Sequence, residues 1–240
     1  MILTAHQPVY LPWLGLFHKI AISDSFISFD QVQYLPKDWN NRNRIKTPDG
    51  PIWLTVPVLK KGYLDKKICE IEIDNSKPWA RKHWRSIRAN YAKAPYFKEY
   101  ADFFEDVYLK HWTTLEELNT YMLRWFLDTL KIDVLIKSAG EYDFRGSKSN
   151  LVLDMCKQLS ADAYVFGKLG EEYADIDSFE SNNIKVIFQD YIYPEYSQKF
   201  GGFESNLSIV DLLFNMGDSS FDTLMSVNIS KTKLLETISY

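Results

Sequence analysis

The chain has 240 residues, of which 46% are hydrophobic and 25% charged, and its formal net charge is −4. This composition is that of a globular protein with a large buried core. The acidic balance argues against a nucleic-acid binder, which needs an excess of phosphate-neutralising side chains. Cys69 and Cys156 form no CxxC word and no zinc spacing with histidine, so both are expected to be buried thiols. No basic leader or bilayer-length apolar run is present, so we expect a soluble cytoplasmic protein without membrane insertion.

The first 45 residues predict a strand, a loop, a helix and a second strand. The apolar run over 2–5 predicts a buried strand, after which His6-Gln7-Pro8 forms a polar loop. Apolar residues at 3–4 spacing from Trp13 to about residue 21 predict a helix. Residues 26–29 predict the second strand, so this region forms one βαβ unit.

The middle of the chain predicts a hairpin followed by helices. Residues 38–49 are polar and predict a loop or lid, whereas 52–58 and 68–73 are β-like and predict an antiparallel hairpin at a sheet edge. Residues 77–131 predict an inserted helical subdomain, interrupted at Pro95 because proline cannot continue a helix.

Alternation of strand and helix then resumes. The further elements are strands at 134–136, 163–166 and 184–188, and helices at 147–159, 176–182 and 203–216. Five parallel strands predict a doubly wound α/β fold, in one domain over 1–240. Residues 218–240 show no clear pattern and are predicted to be a loosely docked tail.

Polar side chains gather where the first two predicted strands end. In open parallel sheets, ligands bind at the carboxyl ends of strands. His6 is the candidate general base, because imidazole titrates near working pH. Asp30 is the second candidate catalytic residue, placed to orient His6 or to bind a substrate amine. The alternative for both is a structural hydrogen bond within the loop.

The remaining candidates would bind substrate. The basic side chains suit a diphosphate and the aromatic ones a base or sugar, while Gly167 would let backbone approach a phosphate. The alternative for each is ordinary surface or core. No metal is predicted. The full substrate-binding set is Gln7, Tyr10, Trp13, Lys19, Gln33, Lys37, Asn41, Arg42, Asn43, Arg44, Gly167, Gln189 and Asp190.

A series of words runs along almost the whole chain: HQPVYLPWLGLFHK, DQVQY, NRNRI, WLTVPV, KAPYF, FQDY and LSIVDLLFN. In these words the sequence resembles the WbqC-like protein family of bacteria, which is associated with O-antigen and other surface-polysaccharide (lipopolysaccharide) gene clusters. The resemblance implies a transferase that modifies nucleotide-linked amino sugars. The suggested role is attachment of an acyl or aminoacyl group, such as glycyl, to the sugar amine.

Three functions remain open. The first is N-acyl transfer from an activated acyl donor to the amine of a nucleotide-linked amino sugar. The second is an amide ligase that uses ATP to make its own acyl-adenylate, and the third is a non-catalytic nucleotide-sugar binding module. No serine elbow or catalytic cysteine word is present, which favours direct transfer. The histidine-bearing loop before the first helix is also similar to that of nucleotidyltransferase-type folds. The sugar, the base, the donor and the oligomeric state are left undetermined.

Overall fold

The structure is a computed structural model that describes residues 1–238. Its strands are β1 (Ile2–His6), β2 (Ser25–Ser28), β3 (Arg42–Thr47), β4 (Gly50–Thr55), β5 (Leu135–Ser138), β6 (Ala163–Phe166) and β7 (Lys185–Phe188). Its α-helices are α1 (Leu14–Ala21), α2 (Trp79–Tyr91), α3 (Phe97–Leu109), α4 (Leu115–Thr129), α5 (Lys148–Gln158), α6 (Ile176–Glu180), α7 (Ile209–Met216), α8 (Ser220–Met225) and α9 (Lys231–Ile238).

The predicted parallel sheet is confirmed, and each of its five strands lies within two residues of the predicted bounds. The strand order is β5-β2-β1-β6-β7, and neighbouring strands are parallel throughout. The order reverses between β1 and β6. Such a reversal leaves a crevice at the carboxyl ends of the two central strands.

Helices cover both faces of this sheet. Alternate residues of each strand point to opposite sides, so each face contributes its own side chains to a helix. Leu3 and Tyr164 pack with Met155 of α5 and Phe179 of α6. On the other face, Ile2, Ala163 and Val165 pack with Leu234 of α9. The α/β fold is therefore doubly wound. A closer likeness to nucleotidyltransferases, and the single-domain organisation, stay predictions.

The inserted helices form where predicted, as α2, α3 and α4 between the second and third strands of the parallel sheet. Pro95 lies in the break between α2 and α3. Thr114 caps α4: its hydroxyl accepts a hydrogen bond from the Glu117 amide at 3.2 Å, and the Glu117 carboxylate accepts one from the Thr114 amide at 3.1 Å. This reciprocal cap satisfies two of the amides that a helix start leaves unpaired.

The predicted hairpin is right in one strand, since 52–58 overlaps β4, and wrong in the other strand and in the pairing. The real antiparallel pair is β3 with β4, in which Thr47 pairs with Gly50 across a two-residue turn. The polar stretch predicted to be a loop or lid therefore contains β3. The turn itself is Pro48-Asp49, followed by Gly50 with φ 102°, a sequence that suits a tight turn. Residues 68–73 are not a strand: Ile68–Glu70 is a 3₁₀ turn, and the pairing after it consists of isolated bridges from Glu72 to Thr114 and from Ile73 to Val58. The two-stranded sheet is separate from the parallel one.

The predicted loose tail is also wrong as far as residue 238. Helices α8 and α9 form there, and Leu234 is 3% exposed. Lys231 makes an ion pair with Asp24 at 2.6 Å, which ties the segment to the start of β2. Residues 239–240 lie outside the described part. The predicted helix over 203–216 is shorter, beginning after its cap at Ser208. None of the helices up to residue 238 combines the length and apolar character that crossing a bilayer requires.

Candidate functional site

His6 ends β1, at the crevice where the strand order reverses. Its Nδ1 lies 2.8 Å from the Gln7 carbonyl oxygen, which can only accept, so Nδ1 carries the proton. Nε2 therefore presents a lone pair, and it has no hydrogen-bond partner within residues 1–238. The imidazole packs edge-on against Trp13, with ring centroids 5.3 Å apart. Burial, and then the positive charge of Lys19, lower the pKa of His6 to about 3.

Lys19 on α1 lies at the same edge. Its side chain is buried, with 4% of the residue exposed, and its Nζ donates to the Ala5 carbonyl at 2.9 Å. No carboxylate within the described chain pairs with it. Burial lowers its pKa to about 8. An ammonium buried without an acid is costly by itself, so this charge suits an anionic or developing-anion partner.

Gln189 joins the end of β7 to α1. Its side-chain amide donates to the Gly15 carbonyl at 2.8 Å and lies 2.7 Å from Nδ1 of His18. The other His18 nitrogen lies 3.1 Å from the Ile229 carbonyl, so Nδ1 is the acceptor. With both ring nitrogens engaged, His18 is structural. Asp190 beside it is exposed.

Asp30 belongs to a second polar cluster, at the ends of β2 and β5. Its carboxylate accepts from the Gln31 amide at 3.2 Å and from the Ser138 hydroxyl at 3.4 Å. Burial and the Asp30 charge raise the pKa of the nearby Cys69 thiol. No hydrogen bond joins Asp30 to His6 in the part of the chain described. The predicted role of orienting His6 is therefore not what this geometry provides.

The Asn/Arg tract of β3 divides by strand alternation. Asn41 and Asn43 are buried and donate to the carbonyls of Val56 and Leu11. The Asn41 amide joins the two ends of the hairpin, and the Asn43 amide holds the hairpin against the loop after β1. Arg42 and Arg44 instead point outward, where their guanidinium groups lie over the indole of Trp53.

Other predicted binding residues have different surroundings. Tyr10 is fully buried, with its hydroxyl 2.8 Å from Nδ1 of His83 and 2.6 Å from the Tyr108 hydroxyl. It has no face open to a ligand. Three others have local surroundings: the side-chain oxygen of Gln7 accepts from the Asn40 side-chain amide, the Gln33 side-chain amide donates to the Leu64 carbonyl, and Lys37 is exposed. Gly167 has φ −73°, which any residue adopts.

The sequence reasoning missed Trp39 and Trp53. The rings of Trp13, Trp39 and Trp53 follow one another at centroid spacings of 5.4 Å, starting beside His6. The turn residues at 48–50 are the sequence feature that could have predicted this face. A hairpin built on that turn places Arg42, Arg44 and Trp53 on the same side.

The cavities near this edge constrain where a ligand could lie. Gln7 and Pro8 line a cavity of about 10 Å³, room for about one water. This volume is far too small for a sugar nucleotide. A cleft of about 550 Å³ around residues 131–136 lies at the amino end of β5, the end of the parallel sheet opposite to that of His6. Another of about 420 Å³ lies beside the 195–203 segment. Across residues 1–238, no group of three His, Cys, Asp or Glu side chains could hold a metal ion.

Comparison with known proteins decides the family. A family model described as the WbqC-like protein family matches residues 7–223. The chain belongs to the WbqC-like family. An uncharacterized protein of Mycobacterium tuberculosis, Rv1507c, is 40% identical over 220 residues, covering 91% of this chain and 95% of the relative. No solved structure matches the chain. The WbqC-like match contains every candidate site residue except His6, which immediately precedes it.

Proposed function

We propose that this WbqC-like protein N-acylates the amine of an amino sugar carried on a nucleoside diphosphate, for assembly of a surface polysaccharide such as O-antigen. The family membership supports the substrate class. The observation that carries the chemistry is the neutral His6 imidazole beside the buried Lys19 ammonium, at the carboxyl end of β1.

These two groups fit direct acyl transfer. The sugar amine attacks the acyl carbonyl, a C–N bond forms, and the carbonyl electron pair moves onto oxygen. The new nitrogen is cationic and acidic, so the neutral Nε2 of His6 can take its proton although burial makes His6 a weak base. The Lys19 ammonium stabilises the oxyanion. The carbonyl then re-forms, and the donor's leaving group departs with its electron pair and takes the proton from His6, which returns to its neutral form.

Asp30 and Ser138 have a different place in this proposal. Their cluster lies at the neighbouring strand ends, and its hydrogen bonds of 3.2 and 3.4 Å are long. Long bonds leave acceptor capacity on the Asp30 carboxylate. We assign this cluster to the hydroxyl groups of the sugar.

The test is a mass measurement on the sugar nucleotide. The full chain is incubated with uridine- or thymidine-diphosphate amino sugars and with activated acyl donors, or with amino acids plus ATP. We expect a mass gain equal to the acyl group, lost in His6→Ala and kept in His111→Ala, since His111 is exposed away from the cluster. No gain with any donor contradicts the proposal.

The alternatives have distinct readouts in the same assay. An amide ligase releases AMP and diphosphate in proportion to the acyl group attached. A non-catalytic module binds the sugar nucleotide without changing its mass. The lowered pKa values of His6 and Lys19 at one strand end favour an enzyme over a binding module, because perturbed pKa values cluster where proton transfer and charge stabilisation occur.

A further inference from the structure

The outward face of the β3–β4 hairpin carries two cations over one aromatic ring. Arg44 of β3 pairs directly with Trp53 of β4 in the antiparallel register. The guanidinium carbon of Arg42 lies 4.3 Å, and that of Arg44 5.7 Å, from the centre of the Trp53 indole. This arrangement, together with Trp39, is called the hairpin face below.

The two charges on the hairpin face are uncompensated. Neither arginine forms an ion pair with an acidic side chain of residues 1–238. Arg42 donates to the Lys37 carbonyl and Arg44 to the Asn206 carbonyl, while the Nε atoms of both have no partner among the described groups. A guanidinium has five N–H donors, so most remain unused. Like charges side by side on one sheet face repel, and a bound anion would remove that cost.

A row of aromatic rings also joins the hairpin face to His6 at the end of β1. Trp53 is 44% exposed. Trp39 lies 5.4 Å from it, Trp13 lies 5.4 Å from Trp39, and His6 lies 5.3 Å from Trp13, measured between ring centroids. A ligand held over Trp53 can thus extend along aromatic surface to the imidazole.

We infer that the hairpin face is a nucleotide subsite that takes a nucleoside diphosphate, with the base on the indoles and the diphosphate on Arg42 and Arg44. Aromatic faces stack on bases of any sequence, and planar guanidinium groups bind phosphate oxygens in pairs. One ligand with a flat ring next to a double anion satisfies both features. The inference rests on the proposed function, since the attached sugar would then lie toward His6.

The experiment is calorimetric binding of uridine diphosphate and thymidine diphosphate to the full chain, without acyl donor. We expect binding that weakens as salt rises, because phosphate contacts are screened. Trp53→Ala, Arg42→Ala and Arg44→Ala should each raise Kd about tenfold. Uridine and inorganic pyrophosphate, each carrying half of the ligand, should bind much more weakly.

Arg88→Ala is the matched control. Arg88 is exposed on α2, and its guanidinium carbon lies 5.8 Å from the Trp84 ring, so the variant removes the same charge and the same kind of contact elsewhere. Its Kd should equal that of the wild type. Thermal unfolding of all four variants checks that each is folded.

The outcomes separate this inference from the proposed function. A Kd unchanged in folded Trp53→Ala and Arg42→Ala variants overturns the subsite, whether or not acyl transfer occurs. Pyrophosphate binding as tightly as uridine diphosphate overturns the role of the indoles. Nucleotide binding that is lost in the variants supports the subsite. This holds even if no donor yields an acylated sugar, a result that would contradict only the proposed acyl transfer.

Discussion

The ammonium of Lys19 lies close enough to His6 for its charge to lower the imidazole pKa, although the two residues come from different elements of the βαβ unit. Lys19 is buried and His6 half-buried near the end of β1, and neither has an acidic partner in the described chain. The positive charge and the neutral base therefore act on each other directly. This pairing, more than either residue alone, makes the strand end a candidate for proton transfer.

Lys19→Met should raise the pKa of His6, because methionine fills a similar volume without the charge. The pKa should stay below 6.5, since burial is the larger cause of its lowering to about 3. The imidazole C–H signals in an NMR pH titration measure this. His83, whose pKa burial lowers to about 4, is an internal reference that should not move. An unchanged His6 signal would show that Lys19 does not act on it.

Acid should destabilise the fold through its buried histidines. Burial lowers the pKa values of His6, His18 and His83, so these rings stay neutral in the folded chain while the unfolded chain takes up protons near pH 6.5. The unfolded state then binds more protons, and the free energy of unfolding falls as pH drops from about 6.5 toward 4. Each histidine contributes up to about 1.4 kcal/mol per pH unit in that window. Above pH 7 these histidines are neutral in both states, so their titration does not change the free energy of unfolding.

Urea unfolding at pH 7.5, 6 and 5 measures the slope. His83→Gln should flatten it, because glutamine does not titrate and His83 is 6% exposed. Equal slopes in the wild type and in His83→Gln would remove His83 from the explanation.

Removing either of the two tyrosine hydroxyls that donate to Asp211 should destabilise the folded chain. Tyr91 and Tyr196 donate to the two Asp211 carboxylate oxygens at 2.8 Å each, and Asp211 is fully buried. Burial raises the pKa of Asp211, and these two hydrogen bonds oppose the rise. Tyr91→Phe and Tyr196→Phe should each lower the free energy of unfolding by about 1–3 kcal/mol, since a buried charge loses a donor.

The double variant tests whether the two hydroxyls act together. Because they share one carboxylate, the combined loss should differ from the sum of the single losses. Urea unfolding measures all three variants. Tyr173→Phe is the control, since Tyr173 is 43% exposed, and it should leave stability unchanged. Additive losses would mean that each hydroxyl acts alone.

Gly167→Ala should leave stability unchanged, because a Cβ at Gly167 meets no atom within 4 Å. A loss of acyl transfer with an unchanged melting temperature would then report that a ligand approaches this backbone, as the sequence predicts. Full activity would remove Gly167 from the site. Gly217→Ala is the positive control for strain. Gly217 has φ 54°, and its Cβ would fall on the Tyr96 ring, so the variant should unfold at a clearly lower temperature.

Prediction from the sequence succeeded where local pattern and structure agree. The five parallel strands and the inserted helices follow hydrophobic periodicity, proline breaks and a capping word, all of which act over a few residues. It failed for 68–73, where Ile68, Ile71 and Ile73 are buried without forming a strand. Alternation reports burial, and strand pairing also needs a partner in register.

By itself, the sequence determined the secondary structure of the sheet, the helical insertion and the polar strand ends, because these depend on neighbours in the chain. The tertiary structure decided which polar groups meet. The strand order of the parallel sheet brings Gln189, just after the last strand, to α1. It also places Asp30 next to Ser138 rather than hydrogen-bonded to His6. In the separate hairpin, strand alternation turns Asn43 inward and Arg44 outward. Such contacts join residues far apart in the chain, and only the packing of the whole sheet sets their distances.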